Sequence, residues 1–158
     1  MFDLSRLPSK LVVNKIAESN ALNNRVLVRE SLLYLFVHET SLCIPGPDNP
    51  EPIQCEDLDG VSLARVFKTM PKPWPDGLGT GGLCPYTFLI RKDKSATVEQ
   101  MLPLFIRGAH AQKYNPVSIS VAVVGHFNKE QVLDEQLNKL IQLCVALYPI
   151  NKDRKSVV

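Results

Sequence analysis

The chain predicts a mixed α/β fold: a single domain with a central mixed β-sheet flanked by helices. Short runs with strand character recur at 31–37 (SLLYLFV), 85–93 (PYTFLIRKD) and 117–125 (VSISVAVVG). Segments with helical apolar spacing lie between and after them. Proline- and glycine-rich loops separate the two kinds of segment. At 158 residues the chain suits one domain that can bury a core without staples. Residues 1–24 read as an N-terminal arm and residues 25–158 as the domain proper.

Taken in order, residues 9–22 (SKLVVNKIAESNAL) have mixed periodicity, which suits a short helix or an irregular arm. In 25–39 (RVLVRESLLYLFVHE), the apolar run SLLYLFV reads as a buried central strand ending beside His38. The loop 41–60 (SLCIPGPDNPEPIQCEDLDG) is broken by prolines and Asp-Asn-Pro. Val61, Ala64, Val66, Phe67 and Met70 then mark an amphipathic helix, stopped by Pro71 and Pro73. A second loop, 71–84, surrounds the only tryptophan, Trp74.

The next strand, PYTFLIRKD, ends in a turn at 92–95, and TVEQMLPLFI suits a short strand or helix. Pro116 introduces VSISVAVVG, whose β-branched content favours a strand. The last helix is expected from Asn128, a plausible N-cap, to Pro149. Its apolar positions include Val132, Leu133, Leu137, Leu140, Ile141, Cys144 and Val145, with Cys144 read as a small core residue.

A net charge of +2 gives no reason to expect nucleic acid or an anionic membrane as partner. No apolar run approaches the roughly 18 residues of a membrane span. The first residues lack the basic-then-apolar pattern of a secretory signal, so localisation stays unknown: cytoplasmic, or released by lysis or another route. Cys43, Cys55, Cys84 and Cys144 form no C-x-x-C pair; Cys43 and Cys55 flank a loop and could bridge in an oxidising compartment, though their spacing alone says little.

The chain has three histidines, His38, His110 and His126. His38 closes a strand, where a sheet presents side chains to a cleft; a bond to a neighbouring loop is the plainer role. His110 sits in Gly-Ala-His-Ala, whose small neighbours suit either a metal or substrate cleft or ordinary tight packing. Roughly nine strand residues, about 30 Å at about 3.3 Å each, part His126 from the start of its strand. His126 therefore reads as a turn or surface histidine. Tyr86 opens a strand after a glycine-rich loop and either aims its hydroxyl into a cleft or is an amphipathic strand end.

In their order these features resemble the zinc-dependent N-acetylmuramoyl-L-alanine amidases, the family of phage lysozyme-amidases and peptidoglycan recognition proteins. FVHET resembles the strand that ends in a ligand histidine. WPDGLGTGGLCPYTFLI resembles the tryptophan loop leading to a Tyr-x-Phe strand. GAHAQKYNPVSISV is similar to the family's second-histidine segment and is the most specific match.

The resemblance implies that His38 and His110 are two of three ligands to one zinc ion. It implies that Tyr86 assists at the scissile amide, and that Asn115 and Ser118 fix the turn behind His110. Trp74 is the candidate substrate-binding residue at the cleft rim. The implied activity is hydrolysis of the amide between N-acetylmuramic acid and L-alanine in peptidoglycan, with peptidoglycan or muropeptide as partner. The alternative is a non-catalytic peptidoglycan-binding or protein-interaction module on the same fold. The family's third ligand, a cysteine or histidine after the long helix, has no match before Val158, so the chain is expected to be either cut before that motif or degenerate. Glu39 is read as a solvated strand-end charge, with substitute ligand and acid-base residue as the other readings.

Overall fold

The computed structural model describes residues 11–16, 33–40, 55–69 and 85–147. The expected loops around Cys43, Trp74 and Cys84 lie outside these residues, as does Pro149. Strands β1 (Val12–Asn14), β2 (Tyr34–Glu39), β3 (Phe88–Ile90), β4 (Val98–Gln100) and β5 (Ser118–Val123) form a sheet of order β1-β4-β3-β5-β2. The β3–β4 pair is antiparallel and the other pairs are parallel, so the sheet is mixed. Helices α1 (Gly60–Thr69) and α2 (Asp134–Leu147) cover its two faces.

Side chains alternate between the faces of a strand, and this alternation sorts the sheet. Phe88, Ile90, Val98, Ile119, Val121 and Val123 pack with Leu143 and Leu147 of α2. Leu89, Ala122 and Val124 pack with Leu63 and Ala64 of α1, together with Leu58 and Met101. Register places His38 beside Ala122, Ala122 beside Leu89, and Leu89 beside Glu99, all on the α1 face.

Several expectations change. The segment 9–22 contributes β1 rather than a helix or an irregular stretch, because Val12 packs against the core and the strand pairs with β4. The run read as a buried central strand is β2, at the edge of the sheet among the described residues. Tyr34 and Val37 are 48% and 50% exposed. An apolar run records side-chain character but not position in the strand order. The segment 97–106 supplies β4.

Helix α2 begins at Asp134, not after Asn128. The intervening residues form a turn, in which the amides of Lys129 and Glu130 donate to the His126 carbonyl. Gln136 then reaches back to accept from the Leu133 amide, as the third helical residue does in a capping box. Its amide nitrogen donates to the carbonyls of Val124 and Arg91, tying the helix to the strand ends. Cys144 is a free cysteine, half-buried rather than part of the core, and burial raises its thiol pKa. Cys55 is disulfide-bonded, and Cys43, the other cysteine flanking that loop, lies outside the described residues.

The start of α1 shows how the site face is anchored. Asp59 caps the helix by accepting from the Ser62 amide at 2.7 Å. The Gly60 amide donates to the Glu99 carboxylate at 2.6 Å. A Cβ at Gly60 would lie 2.0 Å from the Met101 sulfur, so any larger residue would require the Met101 side chain to move. Glu99 is 2% exposed. Its burial raises the carboxyl pKa against the opposing pull of the Gly60 N–H and the Arg91 charge.

Candidate active site

His38 and His110, 72 positions apart, meet on the α1 face, with Nε2 of His38 3.2 Å from Nδ1 of His110. The rings stand edge to face at 74°, with centroids 5.3 Å apart. Parallel pairing of β2 with β5 brings this about. Tyr34, Phe36 and His38 share one face of β2, opposite Ser118, Ser120 and Ala122 of β5.

His110 precedes β5 and is held by a short 3-10 helix at Gln112–Val117. The Asn115 side-chain oxygen, in a residue 2% exposed, accepts from the amides of His110 at 3.0 Å and Ala111 at 2.7 Å. Asn115 thereby orients the backbone that carries the imidazole. Ser118 Oγ lies 3.2 Å from Nε2 of His110 and donates to the Tyr114 carbonyl at 2.6 Å.

Tyr86 belongs to the same cluster: its ring centroid is 5.5 Å from that of His38. Ser120 places it by donating to the Pro85 carbonyl at 3.3 Å. Gly108 packs against the same carbonyl, where a Cβ would come within 2.0 Å of the oxygen. The glycine of Gly-Ala-His is thus required by close packing against Pro85. That packing brings the His110 and Tyr86 segments together.

Phe36 lies against both histidines, with centroids 6.3 Å from His38 and 5.7 Å from His110. Tyr114 packs on Phe36 at 5.5 Å. Sequence reasoning passed over Phe36. The available signal was its place two residues before His38, hence on the same strand face.

Burial lowers the His38 pKa below the ordinary histidine value, favouring the neutral imidazole that a metal ligand requires. Two nitrogens bound to one tetrahedral zinc at about 2.0–2.1 Å stand roughly 3.3 Å apart. The His38–His110 separation of 3.2 Å fits two such positions. Among the described residues, no group of three or more His, Cys, Asp or Glu side chains converges as a metal site.

Glu39 turns away from this cluster. One carboxylate oxygen accepts from the Phe127 amide at 2.7 Å, and the other lies 3.3 Å from Nδ1 of His126. Glu39 is therefore a bonded strand-end group rather than a solvated charge. His126 is apart from His38 because the neighbours His38 and Glu39 project from opposite sides of β2. Trp74 lies outside the described residues.

Residues 32–158 match the family of N-acetylmuramoyl-L-alanine amidases. No curated protein matches the chain. Among solved structures, N-acetylmuramoyl-L-alanine amidase LysC from Clostridium intestinale URNW is similar at 20% identity and a TM-score of 0.61, over 96% of this chain and 87% of that one. The peptidoglycan recognition protein PGRP-Hd from Alvinella pompejana is similar at 18% identity and a TM-score of 0.62, over 87% and 78%. A point mutant of Drosophila PGRP-LB in complex with tracheal cytotoxin is similar at 16% identity and a TM-score of 0.60, over 87% and 75%. At these identities the structural likeness establishes the fold.

Proposed function

The chain belongs to the N-acetylmuramoyl-L-alanine amidase family, and on that premise we propose that it hydrolyses the amide between N-acetylmuramic acid and L-alanine in peptidoglycan with the help of one zinc ion. The observation that carries this reading is the convergence of His38 Nε2 and His110 Nδ1 at 3.2 Å, beside Tyr86. His38 and His110 hold the ion in this proposal; among the described residues no third ligand converges with them. When bound, zinc supplies Lewis acidity and lowers the pKa of a water toward about 7.

The chain's own residues do the rest. Asn115 fixes the backbone of His110. Phe36 packs against both imidazoles, and Tyr114 packs on Phe36. Tyr86 supplies a hydroxyl donor for the charge that develops on the amide oxygen. Trp74, outside the described residues, is assigned in this proposal to stacking on a sugar or stem peptide.

Zinc analysis of the purified chain and of His38→Ala and His110→Ala tests the proposal. Each substitution is expected to abolish stoichiometric zinc and the release of L-alanine-terminated stems from sacculi. Zinc content unchanged by both substitutions sinks the metal assignment. The alternative is a binding module without hydrolysis, which the lack of a third converging ligand among the described residues favours. Muropeptide binding without cleavage in zinc-replete buffer selects that reading.

A further inference from the structure

We propose that Ser118 is a positioning residue that locks His110 in one tautomer, with the proton on Nε2 and an unprotonated Nδ1 facing His38. The consequence for zinc rests on the function proposed above; the tautomer itself does not.

A hydroxyl carries a single hydrogen. Ser118 spends it on the Tyr114 carbonyl, 2.6 Å away. Toward His110 it therefore presents a lone pair, 3.2 Å from Nε2. A neutral imidazole has one N–H, so an acceptor at Nε2 places that hydrogen there and leaves the lone pair on Nδ1. Ser118 is 0% exposed, which removes water as a rival partner for its hydroxyl.

Nothing in this arrangement is loose. Ser118 is held in register opposite Tyr34 at the start of β5. Asn115 pins the backbone of His110, and Phe36 packs on its ring. Metal-bound histidines commonly anchor their second nitrogen on a polar partner, which sets ring orientation and basicity. Here the anchor is a hydroxyl whose direction is itself dictated by a backbone carbonyl. The signal is local in sequence: Tyr114 and Ser118 lie four and eight positions beyond His110.

The test is nitrogen-15 NMR of the imidazoles in the full chain without metal, followed by zinc titration. The wild type is expected to show His110 protonated on Nε2. Ser118→Ala is expected to admit the Nδ1–H form and to weaken zinc binding by about 10–100-fold. Ser118→Thr, which keeps the hydroxyl, is expected to retain the wild-type tautomer. A wild-type His110 protonated on Nδ1 overturns the proposal even if Ser118→Ala does not fold. So does a folded Ser118→Ala protein with unchanged tautomer and zinc affinity. A wild type that binds no zinc yet shows the tautomer shift on substitution overturns the metal reading and leaves the positioning role standing.

Discussion

Strand β5 turns Ile119, Val121 and Val123 toward helix α2, and Ser118, Ser120 and Ala122 toward the histidines and Tyr86. The α2 face is an apolar layer in which Leu143 is fully buried. The α1 face holds the buried Glu99, two serines, His110 and the rings of Phe36 and Tyr114. Polar groups on that face are paired with each other or with backbone, as their burial demands. One face holds the sheet together through close packing. The other holds side chains in set directions, which packing alone does not do.

Breaking the α2 face should cost stability and leave the site chemistry intact. Leu143→Ala is expected to destabilise the fold by about 2–5 kcal/mol, through lost burial and a residual cavity. Denaturant unfolding measures this, and activity per folded molecule should stay near wild type. A comparable loss of activity in the folded fraction would contradict the division between the faces.

Tyr86→Phe probes the other side of the comparison. Removing the hydroxyl is expected to lower kcat by roughly 10²–10³-fold, as for loss of a donor to a developing oxyanion. Zinc content and unfolding midpoint should be unchanged. A kcat within twofold of wild type removes Tyr86 from the chemistry.

The smallest expected effect is on pH dependence. Burial lowers the His38 pKa in the folded chain. Between that value and the ordinary one near about 6.5, the unfolded chain binds a proton that the folded chain does not. Stability is therefore full above about 6.5 and declines as pH falls through the folded value. His38→Gln should flatten this acid-side decline in metal-free protein, followed by unfolding at successive pH values. Glu99 has the opposite sign: its raised pKa gives stability that is present below about 4.3 and lost as pH rises through the folded value. Both groups lie on the α1 face, so the pH response of these two belongs to that side of the sheet.

Much of the fold was legible because local patterns are local in cause. The β-branched run at 117–125 became β5, and the apolar spacing after Asp59 became α1, capped by that aspartate. The start of α2 was misplaced because Asn128 suits a turn as well as a cap, and Gln136 decides between them through long-range bonds to Val124 and Arg91. Glu99 escaped notice because a lone glutamate in a strand carries no sign that a helix N-terminus will dock on it.

By itself the sequence determined the elements and the candidates: β-branched and apolar periodicity for the strands and helices, and GAHAQKYNPVSISV for the segment that carries His110, Asn115 and Ser118. These depend on neighbours within a few residues. The tertiary structure alone decided that β2 is an edge strand among the described residues, that His38 meets His110 across 72 positions, and that Glu39 joins His126 on the other side. Strand order and register bring distant residues onto one face or divide adjacent ones between two, and no short window of sequence contains that information.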